Sequence, residues 1–143
     1  MRSKLLLLVV SLLFAACADT SIRPSANYEM AAALIRHELS SSDSYMGANK
    51  EFPFFVSVEG DDLPSDFIAR LSDTGMAFFA GSTWAEGKGM KMQIGAPKQR
   101  SDGNYDVSHS YYCGVLCASS NTAIMRHDQS GWHVLSSDMH WIS

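Results

Sequence analysis

Apolar and polar positions along the chain follow two different periods. Between Pro24 or Ser25 and about Leu39, the residues Tyr28, Ala31, Ala32, Ile35 and Leu39 recur at helical spacing, while Glu29, Arg36 and His37 fall off that stripe. The spacing predicts an amphipathic helix, and the polar run Ser40–Ser44 ends it. Beyond that point the period changes to two. Phe54, Val56 and Val58 alternate with Phe55, Ser57 and Glu59, the pattern of a strand, and Gly60-Asp61-Asp62 breaks it. Leu63-Pro64-Ser65-Asp66 then reads as the start of a short helix, buried through Phe67, Ile68 and Leu71 and stopped at Gly75.

Everything after Gly75 reads as strands. Ala77–Gly81 is short and apolar; Met90, Met92 and Ile94 alternate with Lys91 and Gln93. Tyr105, Val107, His109 and Tyr111 alternate with Asp106, Ser108 and Ser110, and Ala123, Met125 and His127 with Ile124 and Arg126. Asp128-Gln129-Ser130-Gly131 predicts a hairpin turn into a return strand carrying Trp132, Val134 and Ser136. Helix, strand, short helix and meander is an α+β order: an N-terminal helix and a short second helix packed on a curved antiparallel sheet. The arrangement resembles a cystatin-like or nuclear-transport-factor-like roll, an analogy of shape that brings no function with it.

The first residues carry an address. Arg2 and Lys4 precede twelve residues, Leu5 to Ala16, that are apolar except for Ser11, and small residues follow at Ala15, Ala16, Cys17 and Ala18. Charge, short apolar core and small-residue exit make a secretory signal; a membrane span needs about 20 apolar residues. Two cleavage readings compete. Ala16-Cys17-Ala18 suits an ordinary signal peptidase and leaves Asp19 at the new terminus. Phe14-Ala15-Ala16-Cys17 resembles the bacterial lipobox, departing from it at Phe14, where Leu is usual. That resemblance implies that Cys17 is acylated and begins the mature chain, and Ala18 after it implies the outer membrane. The chain then divides into a signal peptide (1–16), a tether (17–24) and one α+β domain (25–143). The expected partners are the lipid bilayer, through acylated Cys17, and an envelope protein or small ligand on the periplasmic side. Under the other cleavage the domain is soluble in the periplasm or secreted.

Charge narrows the partners further. The 143 residues include 11 Lys and Arg against 15 Asp and Glu; without Arg2 and Lys4, 9 basic residues face 15 acidic ones, a balance of −6. An acidic chain without a basic cluster excludes nucleic acid as an expected partner.

Candidate chemistry is sparse. Cys113 and Cys117, an even pair once Cys17 is set aside, predict a disulfide in an oxidising compartment. Their spacing is one residue longer than the C-x-x-C of thiol oxidoreductases, and so small a loop limits the stabilisation to roughly 2 kcal/mol. Redox or metal handling by this pair is the alternative reading. His109 and Tyr111 share a strand face and are the candidate acid–base pair of a pocket, while Asp106 falls on the other face. His127 and His133 flank the hairpin and are placed to approach across it. With no standard ligand spacing, no metal and no cofactor are expected, and no catalytic residue is assigned. Asp61, Asp62 and Asp66 read as turn and helix-terminus charges. Tyr111-Tyr112-Cys113-Gly114-Val115-Leu116-Cys117, with the later Gly131-Trp132 and Trp141-Ile142-Ser143, resembles the ending of small exported bacterial proteins of unknown function. It implies no activity. The expectation is a tethered, non-enzymatic binding module, with a pocket-based hydrolase or isomerase as the alternative.

If Cys17 is acylated, Cys17→Ser releases the protein from membrane to soluble periplasm and abolishes labelling by radioactive palmitate. A wild-type protein that takes up no label and begins at Asp19 would contradict the lipobox reading.

Overall fold

A computed structural model describes residues 24–41, 43–114 and 117–142. The leader, Cys17 and the tether before Pro24 lie outside the described residues. Helix α1 (Pro24–Ser40) opens on proline, whose fixed φ suits a first helical turn and whose missing N–H costs nothing there. A single turn, α2 (Tyr45–Ala48), follows, capped by Ser44, whose hydroxyl accepts from the Gly47 amide at 2.9 Å. Its four residues are too short to leave a periodic signal. Strand β1 (Phe54–Val58), the two-residue β2 (Asp61–Asp62), helix α3 (Ser65–Arg70) and β3 (Phe78–Ala80) complete the first half. The second half is β4 (Met90–Ile94), the short β5 (Lys98–Gln99), and the long strands β6 (Tyr105–Gly114), β7 (Cys117–Asp128) and β8 (Gly131–Ile142).

The fold is α+β, with helices packed on one eight-stranded sheet in the order β2-β1-β4-β6-β7-β8. β3 pairs with β1 and β5 with β6, outside that path. The sheet is mixed rather than wholly antiparallel. β1 runs parallel to both β3 and β4, with Phe54 opposite Phe78 and Met90. Parallel neighbours require a crossover, and the segment from Asp61 to Gly89 supplies it. Alternating sequence cannot distinguish the two directions, because side chains alternate in both. From β4 onward the pairing is antiparallel, as expected.

One face of the sheet takes α1. Met30, Ala31, Leu34 and Ile35 are fully buried against Val56, Met92, Val107, Ala123 and Met125 in one apolar cluster. The helix stripe is therefore wider than Tyr28, Ala31, Ala32, Ile35 and Leu39; Met30 and Leu34 belong to it. β1 is buried on both faces, because Gly81 packs on Ser57 and Phe79 stacks on Phe55 with ring centroids 5.2 Å apart. Nearer β8 the second face is polar. Asn27 donates a side-chain hydrogen bond to Glu59, which sets the first turns of α1 at the end of the sheet where β1 finishes. The helix then crosses the sheet toward β8, where Glu38 meets Ser137 and borders a cleft with Met139. Two register shifts mark β8, at Ser120/Asn121 and Ile124/Met125, where one extra residue interrupts the ladder of this edge strand. Among the described residues no helix is long and apolar enough to cross a membrane.

Ile35 lies at the centre of this packing. Ile35→Ala is expected to lower unfolding stability by about 2–5 kcal/mol, read by urea denaturation. An unchanged midpoint would show that α1 is not lodged on the sheet.

Candidate functional site

Two places gather the residues with chemistry. The first lies under α1. In β6, Val107, His109 and Tyr111 point to the helix side while Asp106 and Ser108 point away, as the period of two requires. His109 and Tyr111 are only 2% and 1% exposed, with ring centroids 5.7 Å apart at 87°. What they face is Glu38, a carboxylate from the buried side of α1 that is itself 3% exposed. Its Oε1 accepts a hydrogen bond from the Ser137 hydroxyl at 2.7 Å and lies 3.4 Å from His109 Nε2. The latter distance is long for a hydrogen bond. Neither ring nitrogen of His109 has another partner among the described residues. With the imidazole protonated, the pair is a buried ion pair.

Electrostatics follow from that geometry. Burial pushes the Glu38 carboxyl up. The nearby His109 imidazole and the Ser137 hydroxyl, with the charge of His37, outweigh burial and hold it below its ordinary value of 4.5. Burial pushes the Tyr111 phenol well above 10, and the Glu38 carboxylate beside it adds to the rise. Carboxylate, imidazole and phenol together are acid–base chemistry, but a catalytic acid or base must reach its substrate. His109 and Tyr111 are sealed in the core. Glu38 alone borders a cleft, of about 120 Å³, shared with His37, Asp43, Ser44 and Asn121. Ligand pockets commonly measure about 300–1,000 Å³. The trio is built to hold the helix on the sheet.

Sequence reasoning found His109 and Tyr111 and missed Glu38 and Ser137. The signal for Glu38 was present. It follows Ala31 and Ile35 at i+7 and i+3, so a carboxylate occupies the apolar stripe and requires a partner.

The second place is the β6–β7 hairpin end. Cys113 is the last but one residue of β6 and Cys117 opens β7, and the two form a disulfide with Cα atoms 5.3 Å apart. Beside it lies a cleft of about 410 Å³ bordered by Asn49, Phe52, Pro53, Lys88, Met90 and the two cysteines. Gly89, at φ 131°, lets the chain pass against Pro53, where a side chain has no room. Trp84 closes the neighbouring surface, donating to the Gly89 carbonyl at 3.0 Å and meeting Tyr112 edge-on.

The other predicted groupings come apart. His127 and His133 do not approach each other: their cross-strand partners are Trp132 and Arg126, so they project from opposite faces. His127 lies against Trp132, with centroids 4.8 Å apart, and His133 reaches Ser130 at 2.8 Å. Asp62 accepts from the Ser82 amide at 2.8 Å, which ties β2 to the turn after β3, and Asp66 sits in the first turn of α3. Among the described residues, no three His, Cys, Asp or Glu side chains are placed to hold a metal ion. Comparison of the chain with protein-family models, with curated proteins and with solved structures finds no match.

Because its carboxyl is lowered on folding, ionised Glu38 contributes stability that is present above pH 4.5 and lost as pH falls through the lower folded value. Glu38→Gln is expected to be destabilised at pH 7 by about 1–3 kcal/mol and to lose less stability than wild type between pH 5 and pH 3. Parallel acid limbs in urea titrations would contradict this.

Proposed function

We propose that the protein is a membrane-tethered periplasmic lipoprotein domain that binds a partner or small ligand of the cell envelope and catalyses no reaction of its own. The leader, the lipobox-like Phe14-Ala15-Ala16-Cys17 and the resemblance of the Cys113–Cys117 region to exported proteins support the address. The disulfide suits an oxidising compartment.

The observation that carries the reading is the separation of the start of α1 from the cleft. α1 starts at Pro24, one turn before Asn27, whose side chain bonds Glu59 just past the end of β1. The cleft at the disulfide lies at the other end of β1, where Phe52 and Pro53 lead into the strand. A domain held by its Pro24 end presents the cleft away from the bilayer. Phe52, 44% exposed at the rim, gives the cleft an apolar contact of the kind that dominates binding surfaces.

A photo-crosslinking residue at position 52 in intact cells is expected to give a discrete adduct, and the same residue at the exposed Ser72 is expected to give none. Equal labelling from both positions, or no adduct from position 52, would contradict the assignment of the cleft.

A further inference from the structure

The face of the sheet turned away from α1 holds a second hollow, of about 380 Å³, distinct from the cleft at the disulfide. Its floor is made of small residues. Ser108 on β6 pairs with Thr122 on β7, and Ile124 lies one row further along. Bare Gly95 faces the Ser108 hydroxyl, where a β-carbon would collide with it. His140, on the β8 side, bonds the Thr122 hydroxyl through Nε2 at 2.8 Å, which fixes the imidazole as part of the wall.

The walls carry opposite charges. Lys98 stands on β5, opposite Asp106 of β6, and Asp138 stands on β8, opposite Thr122 of β7. Arg100 neutralises Asp106 at 2.8 Å and also meets Asp102 at 3.4 Å. Lys98 and Asp138 have no ion-pair partner among the described residues. Strands β5, β6, β7 and β8 place them three strand spacings apart and two residues out of line, about 16 Å between backbones. That span is too wide for the two to neutralise each other. It leaves both charges available, with the Asp106–Arg100 ion pair, hydroxyls and one apolar side chain between them.

We propose that this hollow is a binding site for a short zwitterionic peptide of two or three residues. Its free ammonium pairs with Asp138, its carboxylate with Lys98, and a small side chain covers Ile124. The length follows from the span: two or three extended residues cover about 7–10 Å, and the Lys98 stem and the Asp138 side chain close the remainder. Opposed charges at fixed spacing favour a ligand with both charges over one with either alone.

Isothermal titration of the purified full-length protein with di-alanine and tri-alanine tests the site. One of the two is expected to bind at one equivalent, and at least tenfold more tightly than its N-acetylated or C-amidated form. Asp138→Asn is expected to weaken the free peptide at least tenfold and leave the N-acetylated form unchanged. Lys98→Met does the reverse, sparing the amidated form. Both substitutions are at the surface and leave the melting temperature in place, which separates loss of binding from loss of fold. No binding at millimolar peptide, equal affinity for capped and free peptides, or variants that bind as wild type would each overturn the proposal.

Discussion

The carboxylate of Glu38 sets how the two layers of this molecule meet. Taking an ionised carboxylate out of water costs several kcal/mol unless charge and hydrogen bonds replace the solvent. Ser137 on β8 and His109 on β6 provide that replacement, with Tyr111 at the same carboxylate. The partners come from two strands that are separated by β7. A shift of α1 by one turn, about 5.4 Å, leaves the carboxylate buried and unmet. A slip of β6 by one residue turns His109 and Tyr111 to the opposite face. The cluster penalises alternative packings more than it strengthens this one, which an apolar side chain at position 38 would serve as well or better.

That registration decides where the ends of the domain lie. With Glu38 fixed beneath β6 and β8, the first turns of α1 fall by Glu59, past the end of β1, and its last turn leads through α2 toward the cleft at the disulfide. Buried chemistry and accessible surface are thereby separated. Glu38, His109 and Tyr111 are locked in the core, while the open hollows are bordered by an apolar rim at one place and opposed charges at another. The Cys113–Cys117 bond adds little stability, because its loop is short. It holds the cleft's rim in one shape.

Much of the architecture was legible in residue spacing. The α1 stripe, the strand at Phe54–Val58, the alternation that puts His109 and Tyr111 together and Asp106 opposite, and the turn at Asp128–Gly131 all stand where the pattern places them. The parallel pairing of β1 with β4 was not legible, because local alternation carries no information about strand direction. α2, β2 and β5 are too short for any period. His127 and His133 looked like neighbours because sequence gives separation along the chain, whereas the face depends on register. Glu38 was overlooked because a glutamate on a helix reads as solvated by default. Its membership of the Ala31–Ile35 row was the physical cue. The charge pair across the open face, Lys98 and Asp138, forty residues apart, is visible only once four strands are laid side by side.

A double-mutant cycle across the buried pair tests the central claim most directly. Urea unfolding at pH 7 would be measured for wild type, Glu38→Gln, His109→Gln and the double variant. If the pair registers helix on sheet, the losses are non-additive, with a coupling energy of about 1 kcal/mol or more. Losses that add within about 0.5 kcal/mol would contradict the account and leave apolar packing alone to hold α1 in place.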